Sequence, residues 1–505
     1  MSSAQRSRVA VVGGGISGLT AAYRLRTLLG PAAEIVLVEG SRRLGGVLRT
    51  VELGGVALDV GAEAFLMRRP EALGLIEELG LGGQLVHPTP AAPTVRAGGR
   101  TVALPTRTLL GLPGAAADVA GLLSAQGMAR VAAEPDVPLC WEPGQDAAVG
   151  LLLRERAGDE LVDRLVDPLL GGVYAGRADA LGLRATLPAV ATALDRGVAS
   201  LLAAANATLP PTHGVSGSHA RRVRLPRTDP VFGTLLGGLG GLVDALVAAA
   251  AVQPRLGSPV RGLARTPGGW RLQLGGHLPG GSRPDHLDAD AVLLAVPAPT
   301  LRRLLADPLP GASAAAGRIE VASSAVVGLA LPLAAAQALP EASGVLVASD
   351  ESQRESLSVK AFTFSGRKWA HASSHEVLLI RGSLGRHGEA RVLQRDDAEL
   401  VDAVRADLAA LTGITAAPVD TVVARWGGGL PQYAPGHLDA VAALEREVDG
   451  APGLAVAGAT LHGVGVPACI GTADAAARRL AAYLNTPGRH RASGIGAARG
   501  ETMGS

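Results

Sequence analysis

The run RVAVV over 8–12 passes directly into glycines at 13, 14, 15 and 18, and apolar residues at helical spacing follow over 19–29. Gly13, Gly15 and Gly18 thus form G-x-G-x-x-G between a strand and a helix. The first glycine permits a tight turn, the second lets backbone approach a pyrophosphate, and the third lets helix and strand pack closely. Gly14, Ile16 and Ser17 complete the loop and open the helix, whose unpaired N–H groups and positive dipole end suit phosphate. A second strand, EIVLVE over 34–39, ends in Glu39, placed to accept hydrogen bonds from ribose hydroxyls, with Gly40 beside it. With 68 glycines in the chain, the glycine spacing alone would be weak. Strand, helix and acid in register predict a β-turn-α-β unit and a Rossmann-like α/β domain that binds a dinucleotide, rather than a bare structural turn.

At 505 residues the chain exceeds what one core supports, so two or three packed domains are expected. The net charge of +2 gives no argument for a nucleic-acid partner. Lys360 and Lys368 are the only lysines, and the arginine excess is compositional background of the kind a GC-rich genome produces. Two cysteines, Cys140 and Cys469, are too few for a disulfide framework or a structural metal site, which suits the cytoplasm. The glycine motif begins within a dozen residues of the start, leaving no room for a signal peptide. No stretch reaches the ~20 apolar residues of a spanning helix. A cytoplasmic protein, soluble or peripherally attached, is expected.

Residues 110–230 are Ala/Leu-rich with helical periodicity and read as a helical insert. An α/β pattern resumes near Gly237, and ADAVLLAV over 289–296 reads as one strand stopped by Pro297. Alternating runs over 319–425 suit an antiparallel sheet. The last α/β signal is a strand over 454–458 and a helix over 472–484, before a Gly/Ser/Arg-rich tail expected to be disordered.

Arg43, Gly45 and Gly46, with Thr50, make R-x-G-G-x-x-x-T, which resembles the second fingerprint of the amine oxidase and porphyrinogen oxidase flavoenzymes. Paired glycines bring backbone against a cofactor, and Arg43 offers a fork for phosphate oxygens. Near the other end, GATLHGVGVPACIG over 458–471 reads as strand, turn and helix, and its helix amino terminus suits negative charge on a reduced flavin. No second G-x-G-x-x-G follows a strand, so no nicotinamide domain is expected. Oxygen is then the simplest electron acceptor, with a quinone or a carrier protein as alternatives.

Over residues 11–471 the chain is similar to the porphyrinogen oxidases of haem synthesis, specifically the bacterial HemY-type coproporphyrinogen III oxidases. The stretches that carry this are VVGGGISGLTAAYRL, RRLGGVLRT, GAEAFLMRRPEA, DPLLGGVYAGRADALGLRATLP, GGLGGLVDAL, RWGGGLPQYAPGH and AGATLHGVGVPACIG. The resemblance implies an α+β molecule with three parts: an FAD domain from 6–86, 234–299 and 418–485, a substrate domain from 87–112 and 300–417, and a helical domain over 113–233, with 486–505 as tail. It implies non-covalent FAD lined by Gly13 to Gly18, Glu39, Gly40, Arg43, Gly46 and Val47, and by Gly61, Ala62, Glu63 and Ala64 where the backbone passes the flavin ring. Val260, Trp426, Ala459, Val464, Gly465 and Val466 complete that set; Val260 reads nearly as well as a core residue, while two glycines beside Trp426 favour a tight approach to the flavin over core packing. The implied reaction takes coproporphyrinogen III to coproporphyrin III in three two-electron steps, with oxygen reduced to peroxide.

Arg69 matches a basic position that the Gram-positive members use near substrate; a surface salt bridge is its other reading. Ala91, Ala92 and Pro93 stand where the mammalian and plant protoporphyrinogen oxidases place an arginine, which favours a four-propionate substrate over protoporphyrinogen IX. The catalytic residues are unknown: His437 and His462 lie in family-like segments, yet a lone histidine is more often structural than a base. Cys469 reads as a small buried thiol rather than a flavin tether. RRVRLPR over 221–227 is a solvated loop by default, and otherwise a weak peripheral contact to an anionic membrane or a haem-pathway enzyme. An amine or carotenoid oxidoreductase would share the two FAD ends, but four Phe, four Tyr and four Trp leave little for an amine cage. A non-catalytic flavin-binding protein would keep the fingerprints and fill the cleft.

Overall fold

The computed structural model describes residues 7–114, 117–209, 230–275, 285–336 and 338–486; the 221–227 segment and the tail from 487 lie outside them. The fold is mixed α/β. Strands Glu34–Val38, Arg8–Val12, Ala291–Leu294 and Leu454–Val456 form, in that spatial order, a four-stranded parallel sheet. Val9, Ala10 and Val11 are fully buried, as expected when both faces of a parallel sheet are covered. Alternate side chains serve the two faces. Val9 and Val11 join Leu19, Leu25 and Leu293 under helices Ile16–Leu29, Gly240–Ala250 and Val466–Leu484. Ala10, Val12 and Leu294 pack with Trp270 and Leu272 of a second sheet, Val260–Thr266, Gly269–Leu274 and Asp285–Ala289, and with helix His437–Asp449.

The run over 289–296 is not one strand. It bends at Asp290, which leaves Asp285–Ala289 in the small antiparallel sheet and Ala291–Leu294 in the parallel one. The Asp290 carboxylate accepts the Arg8 N–H at 2.7 Å and holds that corner. The last helix starts at Val466 rather than 472, because Pro467 in its first turn needs no hydrogen-bonded N–H there.

A seven-stranded sheet runs, in spatial order, through Asp420–Pro431, Val321–Pro332, Val377–Leu384, Val359–Thr363, Gly344–Val347, Pro93–Ala97 and Arg100–Ala103. It is antiparallel throughout except where Gly344–Val347 meets Pro93–Ala97 in parallel. That junction exists because an early hairpin docks onto strands from the second half of the chain. Helix Asp397–Thr412 covers one face with Leu400, Val404 and Leu408. It starts with a capping box, in which Asp396 accepts the Glu399 N–H at 2.8 Å and Glu399 accepts the Asp396 N–H at 3.1 Å.

The helical part spans helices from Ala125–Ala133 to Leu201–Thr208 around Leu153, Leu165 and Val190. Arg156 and Glu134, both buried, pin it together: Arg156 Nε donates to Glu134 at 2.8 Å, and Glu134 also accepts the Leu201 N–H at 2.9 Å. Pro168, which has no N–H, lies inside a stretch of π-helix over Val162–Gly171. Among the described residues no helix is long and apolar enough to cross a membrane, and no cluster of side chains could hold a metal ion.

Candidate functional site

A cleft of about 400 Å³ opens above the carboxyl ends of the parallel strands. Gly13, Gly15, Ile16, Ser17, Glu39 and Gly40 line one end, joined by Gly46, Val47, Val260 and Ala459. The three motif glycines differ in what surrounds them. A Cβ on Gly13, whose φ is +105°, would fall 2.2 Å from the Ala295 carbonyl oxygen, and one on Gly18 would fall 1.8 Å from that of Gly13. These two allow chain to pack on chain. A Cβ on Gly15 would meet nothing closer than Gly46 Cα at 3.9 Å, so that glycine faces open cleft.

The Gly14 N–H donates to Glu39 Oε2 at 2.6 Å and the Ser41 N–H to Oε1 at 2.7 Å, which fixes the carboxylate at the cleft rim. Val260 opens its strand directly beneath, with Ser258 and Pro259 also lining. The second fingerprint is bonded to the first: the Gly45 N–H donates to the Gly14 carbonyl at 2.8 Å. Arg43 turns away from the cleft lining. Its guanidinium donates to Leu44 O at 3.1 Å and Gly46 O at 2.6 Å and stands 5.4 Å from the Trp426 ring centroid. Burial, then the nearby Arg49, lowers its pKa.

Trp426 stands behind the lining. Its Nε1 donates to Val60 O at 3.0 Å, and its ring abuts Gly61, where a Cβ would come within 3.1 Å of it. Gly428, Gly429 and Pro431 of the same strand line the cleft instead, so the seven-stranded sheet supplies its far wall. The segment 61–64 is laid against the Val47 loop by the Ala62 N–H, which donates to Val47 O at 3.0 Å; Ala64 leads into strand Phe65–Leu66. Arg381 of the large sheet donates to Gly61 O at 2.8 Å, and Glu63 is ion-paired to both Lys368 and Arg381. Burial would raise the Glu63 pKa, but the two cations outweigh it and hold it at about 2.

Ala459 lines the cleft, and its carbonyl accepts the Tyr433 hydroxyl at 2.6 Å, while Tyr433 Oη accepts the Gly463 N–H at 2.8 Å. Tyr433 is stacked on His437 with centroids 3.8 Å apart, and His437 Nε2 bonds Leu461 O at 2.9 Å. Burial lowers the His437 pKa, so the ring braces the turn in its neutral form. Gly465 caps helix Val466–Leu484, the Val464 side chain packs against the helical part, and Val466 enters the core. His462 is half exposed and bonds Glu445 at 2.8 Å, which raises its pKa. Cys469 lines the cleft with a buried thiol whose pKa burial pushes up to about 11. Arg69 lies apart, at the start of helix Pro70–Glu78, exposed and holding Glu71 through bonds of 3.2 and 2.7 Å.

Sequence reasoning passed over Gly428, Gly429, Tyr433, Lys368 and Arg381. The glycines beside Trp426 signal a close approach there, and it is they rather than the indole that reach the cleft; the ion pairs, formed across some 300 residues, leave no signal.

A parallel sheet that ends in glycine loops, an acid at the second strand, and a far wall from a separate sheet define a two-part dinucleotide-binding oxidoreductase. The flavin containing amine oxidoreductase family matches residues 16–481, and the chain belongs to it. The coproporphyrinogen III oxidase of Mycobacterium tuberculosis (strain ATCC 25618 / H37Rv) is 46% identical over 468 residues, 92% of this chain and 95% of its own. That of Mycobacterium leprae is 45% identical over 474 residues, 94% and 98% of the two chains. A crystal structure from Exiguobacterium sp. 255-15, described as a protoporphyrinogen oxidase, superposes with a TM-score of 0.78 at 29% identity, covering 95% of this chain and 99% of that one. Cyclohexylamine oxidase from Brevibacterium oxydans shares the fold alone, with a TM-score of 0.65 at 16% identity over 95% of this chain and 100% of that one. The protein is therefore an FAD-dependent oxidoreductase.

Proposed function

We propose that this chain oxidises coproporphyrinogen III to coproporphyrin III, with oxygen as acceptor and hydrogen peroxide as product. The observation that carries the cofactor's place is the cleft: residues 13, 15, 16, 17, 39, 40, 46, 47, 260 and 459, distant in sequence, face one volume. FAD fits there because Gly15 leaves backbone open to a pyrophosphate and Gly46, packed against it, can carry no side chain, while Glu39 retains acceptor capacity for ribose hydroxyls. Bound FAD supplies a two-electron acceptor that oxygen can regenerate.

The chain's own residues orient and exclude. The Val47 loop, fixed by Gly45 and by the Ala62 N–H, positions one wall, and the Gly428–Gly429 stretch positions another. Arg381 holds the Gly61 carbonyl in place, and Glu63 keeps the 61–64 segment against the large sheet. Cys469 keeps its proton at neutral pH, which supports a cofactor held without a covalent bond. Separate cores under the parallel sheet, the large sheet and the helices support a division into an FAD part, a substrate part and a helical part with boundaries near 86, 112, 233, 299 and 417, although residues 301–319 pack on the parallel sheet and Asp420–Pro431 joins the large one.

The substrate assignment is tested by mixing the yellow protein anaerobically with coproporphyrinogen III and, separately, with protoporphyrinogen IX. Flavin bleaching on anaerobic mixing with the first, and in air porphyrin fluorescence with a kcat/KM at least about tenfold lower for the second, are expected. Equal or better use of protoporphyrinogen IX overturns the preference. Arg69→Ala is read in the same assay. Because Arg69 is exposed and already paired with Glu71, its service to a propionate requires that pair to open.

A further inference from the structure

Only two of the chain's 47 basic residues are lysines, and they stand eight positions apart. Lysine carries its charge as a compact ammonium on a flexible stem, where arginine carries a planar fork. Lys368 has a carboxylate partner in Glu63. Lys360 has none among the described residues: its Nζ donates to the Gly385 carbonyl at 3.0 Å and forms no ion pair.

Lys360 sits at the irregularity where strand Val359–Thr363 slips its register against Val377–Leu384, and it faces a cavity of about 490 Å³. Arg177, Arg386 and Arg391 line the same cavity, with hydroxyls from Ser349, Ser352 and Ser358. Glu389 is the one acid in that lining, and Arg177 takes it. Arg386 is tied to Asp167 at 3.3 Å, beyond the lining. Among the described residues neither Lys360 nor Arg391 forms an ion pair. Desolvation, and then Arg386, lower the Lys360 pKa to about 8, with the Glu389 carboxylate only partly offsetting them. The cavity shares no lining residue with the cofactor cleft. Its volume falls in the range of ligand sites, ~300–1,000 Å³.

We propose that this cavity is a second, anion-binding site, which takes a carboxylate- or phosphate-bearing ligand between Lys360 and Arg391. The ligand is either a free small anion or the propionate edge of a porphyrin. The site does not depend on what the flavin oxidises.

Two lysines make a direct test possible. Holoenzyme labelled with 13C at lysine Cε gives two side-chain signals, and Lys360→Arg identifies one of them. Inorganic phosphate and citrate, each to about 5 mM, and coproporphyrin III, to about 0.1 mM, are titrated separately. The Lys360 signal is expected to move saturably with at least one probe while the Lys368 signal, beside the 61–64 segment, stays in place. Arg391→Gln, an exposed change, is expected to weaken that binding by about fivefold. Response to phosphate or citrate assigns a free anion, and response to the porphyrin alone assigns a propionate edge. A Lys360 signal unmoved by all three, one that moves only together with Lys368, or one as responsive in Arg391→Gln as in the wild type overturns the site.

Discussion

The glycine-loop wall of the cofactor cleft and the 61–64 segment that supports the Val47 loop are built from different materials. On the Rossmann side the work is done by main chain and missing side chains: Gly13 and Gly18 let backbone touch backbone, Gly15 leaves space, and Glu39 is the one charged group among the motif residues lining it. Behind the Val47 loop, on the side of the large sheet, the 61–64 segment, which lies outside the cleft lining, is held by charge, Glu63 between Lys368 and Arg381, with Arg381 also on the Gly61 carbonyl. The first is specified by steric exclusion within one short loop. The second depends on partners brought from 305 and 318 residues away, and each partner can be lost singly.

The sharpest test of that contrast separates two glycines. Gly18→Ala forces a Cβ into the Gly13 carbonyl, and with no flexible side chain to give way it is expected to cost roughly 3 kcal/mol or more. Gly15→Val fills empty cleft, so the protein should keep its thermal midpoint while losing its yellow colour. Melting curves and flavin content, measured on both variants, decide; a yellow Gly15→Val protein, or a Gly18→Ala protein of normal stability, breaks the division of labour.

Glu63→Gln is next in size. It strips the carboxylate from two largely buried cations and is expected to cost about 3 kcal/mol at pH 7. Since the folded pKa of Glu63 is about 2 against an ordinary 4.5, its stabilisation is complete above 4.5 and drains as pH falls towards 2. The gap between wild type and variant in denaturant midpoints should therefore close over that interval; a constant gap refutes the ion-pair account. Asp59, near the same segment, has the opposite sign. Burial lifts it from 3.8 to about 6 despite bonds from Thr50 and the Leu239 N–H, so its charge is a cost present above 6 and relieved towards 3.8. Asp59→Asn should be more stable than wild type at pH 7 and lose that advantage below pH 4.

The smallest effect concerns the turn at the flavin end. Tyr433→Phe removes one donated and one accepted hydrogen bond to residues 459 and 463 and is expected to cost ~1–2 kcal/mol, with a matching loss of FAD affinity on titration. Wild-type affinity in the variant would leave the His437 stack as the sufficient brace.

The same contrast explains what the sequence disclosed. Residues 8–39 could be read because a strand, a glycine turn and a helix are local and each glycine is a steric statement. Val260 was legible only through family likeness, since nothing about one valine in a short strand says that it underlies a cleft. The break at Asp290 was hidden because an apolar run looks alike whether it serves one sheet or two. Arg43 reads as a phosphate ligand and is found bracing its own loop, because a guanidinium beside two free carbonyls and an indole face has nearer partners. Tyr433 carried no signal at all, for its significance lies in two backbone groups 26 and 30 residues on.

The parallel sheet draws its strands from 8–12, 34–38, 291–294 and 454–456. On a ribosome the first two emerge early and wait, exposed and apolar, until most of the chain has followed. Ala459, at the cleft, arrives only after the last of the four. The cleft is therefore complete only once residues 454–469 have joined strands made near the start of the chain. Release of a chain stalled at about residue 450 should yield a colourless polypeptide whose early strands are aggregation-prone.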